Sequence, residues 1–408
     1  MRASILIKQG LIINPRENAS YTSDLLISDG LIKSIKNGAA FNADITINAD
    51  GLWVCPGLFD MHAHFRDPGF THKEDIVSGQ RAAAAGGYAG VLVMPNTNPV
   101  TDSPETVRYI REKADERLPR VFVCGAVTKN YEGKELTNVA RLVEAGIVAL
   151  SEDGRSVLDE KILRDAFLEC KKRNIPMLSH CEDENAPPGE TEISFIRRDA
   201  RLARETGAAL HICHVSEKQS ADFLRNAKKQ DARLTGEVSP HHIFLTRTRE
   251  NAENAAFKVN PPLKAENDRA ALAEALKDGA IDAIATDHAP HAENEKNLPL
   301  PSAPPGFTGL ETAVGVCVTA LVKTGILTPL ELIKKMSQTP ADILNLPLFG
   351  GISENAEAYV TIIDPDRKWR VTADAFRSKS KNSPFIGQTL TGKVKYTIIS
   401  GEIIYAGI

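Results

Sequence analysis

The stretch Leu52-Trp-Val-Cys-Pro-Gly-Leu-Phe-Asp-Met-His-Ala-His-Phe-Arg66 joins an apolar run to a cluster of polar side chains. The run leads into His62 and His64, which are separated by one residue. Because alternate residues of a strand face the same side, both imidazoles can point at one metal ion. A single His-x-His pair is a weak sign of a metal site, but its place directly after an apolar strand pattern strengthens it. We therefore predict a buried strand that ends in a metal site.

The middle of the chain alternates apolar strand patterns with helical patterns. Candidate strands lie at Leu52–Phe59, Ala89–Met94, Val121–Gly125, Ile147–Leu150, Pro176–Ser179, Ala209–Ile212, Arg233–Val238 and Ala280–Ala285. Amphipathic or alanine-rich segments such as Lys73–Ala85, Asp159–Arg173 and Ile193–Thr206 separate most of them. Eight strands with intervening helices predict a (β/α)₈ barrel of the TIM type, with a doubly wound open sheet as the alternative.

Both ends of the chain carry short strand patterns that are separated by turn signals. These patterns lie at Ile5–Lys8, Asp24–Ser28, Leu31–Ile35, Asp44–Asn48, Ala358–Ile363, Lys393–Ile399 and Glu402–Tyr405. Two β-rich ends around a different middle predict one small β-sandwich domain built from both termini. We place this domain at residues 1–51 and 350–408, and the barrel at residues 52–349.

The size and composition of the chain exclude several classes of protein. Its 408 residues, of which 42% are hydrophobic, suffice for a large buried core. A net charge of −4 without a block of lysine or arginine disfavours a nucleic-acid partner. No apolar run is long enough to span a membrane, the N-terminus lacks a signal-peptide pattern, and the six cysteines form no C-x-x-C pair. We expect a cytoplasmic protein that acts on a small, charged metabolite.

Polar side chains follow six of the eight predicted barrel strands. In chain order they are His62, His64, Asn96, Asp153, His180, His214 and Asp287. Because active sites of such barrels lie at the carboxyl ends of the strands, we expect these side chains to meet. Imidazole suits zinc, cobalt or iron, and the carboxylate of Asp153 could bridge two ions. Asp287 could bind metal and also transfer a proton, whereas His211, three residues before His214, should face the other side and be structural.

Other residues indicate an anionic substrate. Arg66 lies two residues past His64 on the same strand face, where its guanidinium could bind a carboxylate through two hydrogen bonds. The alternative for this arginine is a salt bridge at the rim of the barrel. Asn96 and Asn260 could fix amide or carboxylate groups, although each alone is more often a turn residue. His291 lies in a loop rich in proline and glycine that could cover the site.

Several motifs together resemble the bacterial dihydroorotases of the long, type I class. The motifs are Asp60-Met-His-Ala-His-Phe-Arg-Asp-Pro-Gly69, Met94-Pro-Asn-Thr97, His180-Cys-Glu-Asp183, Cys213-His-Val-Ser216, Glu237-Val-Ser-Pro-His-His242, Val259-Asn-Pro-Pro-Leu263, Thr286-Asp-His-Ala-Pro-His291, Ser378-Lys-Ser-Lys-Asn-Ser-Pro-Phe385 and Gly392-Lys-Val394. They extend over nearly the whole chain. The resemblance implies the reversible hydrolysis of L-dihydroorotate to N-carbamoyl-L-aspartate in pyrimidine biosynthesis.

The resemblance also implies a role for each site residue. One or two zinc ions would be bound, with two favoured: one by His62, His64 and Asp287, and the other by His180 and His214, with Asp153 as the bridge. Asp287 would be the proton acceptor. The substrate would be lined by His64, Arg66, Asn96, Asn260, His291, Pro305 and Gly306. We further expect a homo-oligomer that could associate with aspartate transcarbamoylase.

Two other functions compete with this interpretation. The related dihydropyrimidinases, hydantoinases and allantoinases bridge their metals with a carbamylated lysine on the fourth strand, whereas Ile147–Asp153 contains no lysine. A non-catalytic relative that supports a transcarbamoylase would have lost metal ligands, yet every ligand position is filled. The chain departs from the family in the short link Asn185–Glu190 between His180 and His214, which we expect to change lid or subunit contacts and no ligand. Position 152 is Glu where Asp is common.

Overall fold

The computed structural model describes residues 3–38, 42–182, 191–230 and 233–407. Its strands form two separate sheets. In chain order the strands are β1 (Ile5–Asn14), β2 (Ala19–Ser28), β3 (Leu31–Ile35), β4 (Ile45–Asn48), β5 (Trp53–Pro56), β6 (Leu58–Ala63), β7 (Tyr88–Val93), β8 (Arg120–Ala126), β9 (Ile147–Ser151), β10 (Met177–Ser179), β11 (Leu210–Ile212), β12 (Leu234–Val238), β13 (Ala283–Ile284), β14 (Val360–Arg370), β15 (Thr389–Ile399) and β16 (Glu402–Ala406).

The strands β6 to β13 pair in parallel and in chain order. A parallel bridge between Ala63, at the end of β6, and His288, just after β13, closes this sheet into a barrel. The predicted (β/α)₈ barrel is therefore confirmed, and the open doubly wound sheet is excluded. All carboxyl ends of the eight strands consequently lie at the same end of the barrel.

Helices occupy the connections between the barrel strands and continue after the last one. They span Ile76–Ala85, Pro104–Lys113, Val139–Ala145, Glu160–Arg173, Ile193–Thr206, Lys218–Ala227, Pro240–Phe244, Arg249–Ala252, Glu266–Asp278, Glu293–Lys296, Ala313–Cys317, Pro329–Ile333 and Thr339–Ile343, with π-helical turns at Val318–Val322 and Lys334–Gln338. Local signals set their ends: the Asp159 side chain caps the first turn of one helix, and Asn174, in a left-handed conformation, ends it. Nowhere in the described ranges is a helix long and apolar enough to cross a membrane.

The other eight strands form one hydrogen-bonded sheet from both ends of the chain. The strand β5 pairs with β1 and with β14, which gives the order β16-β15-β14-β5-β1-β2-β3, with β4 beside β1. Ile7, Leu25 and Val54 pack with Ile362 and Ile398 in a hydrophobic cluster of their own. The predicted β domain of both termini is confirmed, and its strands are continuous through hydrogen bonds.

The first predicted barrel strand, Leu52–Phe59, is two strands that belong to different sheets. Trp53–Pro56 lies in the terminal sheet and Leu58–Ala63 in the barrel, with Gly57 between them. A Cβ atom on Gly57 would lie 2.4 Å from the Cβ of Ala89, so the passage between the sheets requires glycine. Because both strands are buried, the apolar pattern runs through this break without a visible change.

The segment between β14 and β15 leaves the terminal sheet and contacts loops at the mouth of the barrel. We call residues 376–385 the strap. Within it, Ser378 donates a hydrogen bond to Glu74, and the hydroxyl of Ser380 lies 2.6 Å from the carbonyl oxygen of His291. The terminal domain therefore reaches the carboxyl end of the barrel.

Candidate metal centre

The structure brings the predicted metal ligands together at the carboxyl end of the barrel. All six side chains are buried: His62, His64, Asp153, His180, His214 and Asp287. His62 Nε2 lies 3.2 Å and His180 Nδ1 lies 3.7 Å from the same oxygen, Oδ1 of Asp153. Both imidazoles are therefore within the spacing that ligands of two metal ions ~3.5–4 Å apart require.

The six side chains form two groups that share Asp153. In one group, His64 Nε2 lies 3.4 Å from Asp153 Oδ2 and 3.1 Å from Asp287 Oδ1. In the other, His180 Nδ1 lies 2.8 Å from His214 Nε2, which is 3.8 Å from Asp153 Oδ1. The carboxylate of Asp153 thus lies between the groups, in the position of a bridging ligand.

Two buried atoms at the centre of this cluster indicate a cation site. His62 Nε2 and Asp153 Oδ1 lie 3.2 Å apart, but neither makes a hydrogen bond of ordinary geometry with any residue that the structure describes. Buried polar atoms are nearly always satisfied, and an imidazole nitrogen beside a carboxylate oxygen is a donor pair that zinc prefers. The donor set and its unsatisfied atoms therefore fit divalent metal ions.

The two carboxylates of the cluster are held in the charged form. Burial raises the pKa of Asp287, but the hydrogen bond with His64 and the positive charge of neighbouring histidines lower it below its usual value. Burial likewise opposes ionisation of Asp153, but the positive charge of His62 and the close contacts with His180 and His214 together outweigh it, so the pKa of Asp153 is well below its usual range. Both side chains are thus anionic at neutral pH, as metal ligands must be.

Three of the predicted substrate residues lie together beside the metal cluster. The Arg66 Nε donates to the carbonyl oxygen of Pro290 at 3.2 Å, and its Nη2 lies 3.3 Å from His291 Nε2. The same His291 nitrogen lies 2.8 Å from the carbonyl oxygen of Pro305. Burial lowers the pKa of Arg66 to about 10, although the charge of Asp287 acts in the opposite direction, so the guanidinium stays positive at neutral pH. A cation at this place suits a substrate carboxylate.

The two predicted asparagines have different surroundings. Asn96 accepts a hydrogen bond from His64 Nδ1 at 2.9 Å, which leaves His64 Nε2 to face the metal cluster. Its amide nitrogen lies 3.4 Å from Asp153 Oδ2, so Asn96 contacts the ligands directly. Asn260 is half-buried in a loop next to Gly306, whose backbone N–H donates to the carbonyl oxygen of Lys258 at 2.9 Å.

Glu237, a fully buried carboxylate on β12, was not among the predicted site residues. Its Oε1 lies 2.8 Å from His62 Nδ1, and its Oε2 lies 3.2 Å from His211 Nε2. An acceptor on Nδ1 fixes the tautomer that leaves His62 Nε2 free for a metal. The signal for this role is weak but present, because a carboxylate inside an apolar parallel strand is costly unless it is paired.

The orientation that we predicted for His211 is wrong. Its imidazole is buried and contacts Glu237, which connects it to His62. The strand β11 ends at Ile212, and His214 has a left-handed φ of 32°, so the alternation of a strand does not extend from residue 211 to residue 214. His211 therefore faces the metal cluster and contacts it through Glu237.

We expect Glu237→Gln to weaken metal binding about 10- to 100-fold, which is the usual effect of removing an orienting partner of a metal-bound histidine. Glutamine has the same shape, but a single amide cannot accept from both His62 and His211. Competition with a chromogenic chelator would measure the dissociation constant directly. Glu105→Gln, at an exposed glutamate paired with Arg108, is the matched control. Equal metal affinity in Glu237→Gln and the parent would assign Glu237 to folding alone.

Comparison with known proteins agrees with this arrangement of residues. Residues 53–404 match the family model described as the Amidohydrolase family. The chain belongs to the amidohydrolase family. It is 42% identical to the dihydroorotase of Clostridium acetobutylicum over 98% of this chain and 99% of that one. It is also 42% identical to the dihydroorotase of Caldanaerobacter subterraneus subsp. tengcongensis over 98% of this chain and 97% of the relative. The resemblance that the motifs indicated is thus confirmed, and this amidohydrolase groups with the dihydroorotases.

A solved structure shares the fold of this amidohydrolase. The L-hydantoinase (dihydropyrimidinase) from Arthrobacter aurescens aligns with a TM-score of 0.88 over 100% of this chain and 98% of its own, at 24% identity. This likeness supports the barrel with its terminal β domain and does not bear on the substrate. The link Asn185–Glu190, which we expected to alter local contacts, lies outside the described residues.

Proposed function

We propose that this amidohydrolase is a dihydroorotase, which hydrolyses L-dihydroorotate reversibly to N-carbamoyl-L-aspartate in pyrimidine biosynthesis. The observation that carries the proposal is the carboxylate of Asp153 between the two groups of histidines, within 4 Å of both. Hydantoinases and dihydropyrimidinases use a carbamylated lysine at this point of the fourth strand. The dihydroorotases that are 42% identical over nearly the whole chain support the same substrate.

We propose two zinc ions as the cofactors of this site. His62, His64 and Asp287 would hold one ion, and His180 and His214 the other, with Asp153 shared. When bound, zinc lowers the pKa of water from ~15.7 to about 7 and polarises a carbonyl oxygen. This chemistry is required because the ring amide of dihydroorotate resists water at neutral pH.

The residues of the chain would divide the remaining tasks. The anionic Asp287 would accept the proton of the attacking water and return it to the ring nitrogen that departs. Arg66 would bind the substrate carboxylate, with His291 beside it at 3.3 Å. Asn96 would hold His64 in one tautomer, and Asn260 with the Pro305–Gly306 backbone would line the ring. In the reverse direction the same carboxylate would take the proton from the carbamoyl nitrogen.

Metal removal provides the first test of the proposal. We expect the purified protein to turn over dihydroorotate, to lose this activity after chelation, and to regain it when zinc is added. Hydantoin and allantoin, assayed beside dihydroorotate, separate the alternative amidohydrolase activities, and elemental analysis gives the number of zinc ions. A preference for hydantoin or allantoin would contradict the proposed substrate, and activity that survives complete metal removal would contradict the proposed cofactor.

We also propose a cytoplasmic location and retain the predicted partners. All six cysteines are buried and free of disulfides, which suits a reducing compartment. The homo-oligomer and the association with aspartate transcarbamoylase stay predictions. Sedimentation of the protein alone and with an added transcarbamoylase would test both.

A further inference from the structure

The strap has an alternating pattern that explains how it lies on the barrel. Ser378 and Ser380 are buried, whereas Lys379 and Lys381 between and after them are exposed. This period of two is typical of an extended segment with one face on the protein. Phe376 and Phe385, at the ends of the strap, pack in an apolar cluster with Phe307. Between them, Ser378 and Ser380 contact the barrel through hydrogen bonds.

The hydrogen bonds of the strap go to the loops that carry the proposed substrate residues. The hydroxyl of Ser380 lies 2.7 Å from the carbonyl oxygen of Lys73 and 2.6 Å from that of His291. Next along the strap, the carbonyl oxygen of Asn382 accepts from the backbone N–H of Thr308 at 3.0 Å and from its hydroxyl at 2.9 Å. The strap therefore connects the loop after β6 with two parts of the loop after β13.

The side chain of Asn382 contacts two of the proposed substrate residues at once. Its Oδ1 accepts from the backbone N–H of His291 at 3.3 Å, and its Nδ2 donates to the carbonyl oxygen of Gly306 at 3.1 Å. The His291 ring in turn bonds to the carbonyl oxygen of Pro305 at 2.8 Å. These hydrogen bonds form a closed ring that joins Asn382, His291 and the Pro305–Gly306 backbone. The guanidinium of Arg66 lies against the His291 side of this ring.

We propose that Asn382, supplied by the terminal domain, is a positioning residue for substrate binding. It sets the distance between His291 and the Pro305–Gly306 backbone, and so the shape of the carboxylate and ring subsite next to Arg66. The proposal rests on the proposed function, because it assigns these residues to dihydroorotate. It also gives the strap motif a purpose beyond packing, since the half-buried side chain of Asn382 makes two hydrogen bonds to these loops.

The position requires a side chain that both accepts and donates a hydrogen bond. Alanine removes both bonds. Aspartate keeps an acceptor for the N–H of His291 but places a second oxygen against the carbonyl oxygen of Gly306. The two variants therefore separate the two contacts, and both leave the metal ligands untouched.

The test compares Asn382→Ala, Asn382→Asp and the parent by steady-state kinetics on dihydroorotate and by hydrogen–deuterium exchange. We expect both variants to raise KM about tenfold or more, because small displacements of substrate-binding groups can cost up to about 100-fold. We expect kcat to change less than about threefold and metal content to stay the same. The peptide that contains the His291 amide should exchange faster in Asn382→Ala and stay protected in Asn382→Asp.

The control is Asn226→Ala, which removes an exposed side chain whose amide donates to a carbonyl oxygen of its own helix at 3.0 Å. Unchanged KM and unchanged exchange in the Asn382 variants of an active parent would overturn the inference. A fall in kcat with loss of metal, at constant KM, would also overturn it, because it would mean a general structural defect. A parent without dihydroorotase activity would instead overturn the proposed function, and the exchange of the His291 peptide would still decide whether Asn382 positions this loop.

Discussion

Asp287→Asn is expected to lower kcat for dihydroorotate by about 10²- to 10⁴-fold while the protein keeps its metal, the range that general acid–base catalysis contributes. Asparagine can still offer an oxygen to a metal ion, so the ligand set is nearly preserved. It cannot accept the proton of the attacking water or return it to the departing nitrogen. The position suits this task, since Asp287 Oδ1 lies 3.1 Å from His64 Nε2 and 3.7 Å from His62 Nε2, beside the proposed metal.

Metal analysis must accompany the assay of this variant, because loss of zinc would give the same inactivity for a different reason. Asp366→Asn is the matched control, at an exposed aspartate that pairs with Lys323. A kcat within a few-fold of the parent, with full metal content, would show that Asp287 does not transfer the proton. Asp153 or His291 would then have to perform this step.

The fold was predictable because the amphipathic periods of its helices and the turn residues between its strands are regular along the chain. The helix Ile193–Thr206 and the strand Leu31–Ile35 have the predicted bounds, since amphipathic periods and turn residues mark them clearly. The break at Gly57 was not predictable, because the strands on both sides of it are equally apolar and only the tertiary packing separates them. Local patterns thus predict whether a segment is a helix or a strand more reliably than they predict the sheet to which a strand belongs.

The candidate site was predictable in part for a reason that belongs to the barrel itself. A closed parallel barrel brings every strand end to the same place, so the residue after each strand identifies a site without any knowledge of contacts. Glu237 and Asn382 were missed because their roles depend on contacts with residues 175 and 91 positions away in the chain. Glu237 lies inside a strand and Asn382 lies in another domain, so neither follows the rule of strand ends.

Arg66→Lys should raise KM for dihydroorotate roughly 10- to 100-fold and leave the metal content unchanged. Lysine keeps the positive charge but loses the planar pair of donors that matches a carboxylate. A charge-assisted hydrogen bond contributes about 1.5–3 kcal/mol, and about 1.4 kcal/mol corresponds to a factor of ten in binding. The shorter reach of a single ammonium would also leave the carbonyl oxygen of Pro290 without the hydrogen bond that Arg66 Nε now donates at 3.2 Å.

The control for this variant is Arg117→Lys, at an exposed arginine whose Nε and Nη2 contact the carboxylate of Asp115 at 3.1 and 2.9 Å. Arg117→Lys shows whether the loss of a two-point arginine–carboxylate contact far from the site changes KM. Because the substrate carboxylate persists through the reaction, its contact with Arg66 should stabilise ground and transition states equally and appear in KM. A normal KM in Arg66→Lys would return Arg66 to a salt bridge at the rim, whereas a fall in kcat alone would mean that Arg66 acts on the reacting atoms.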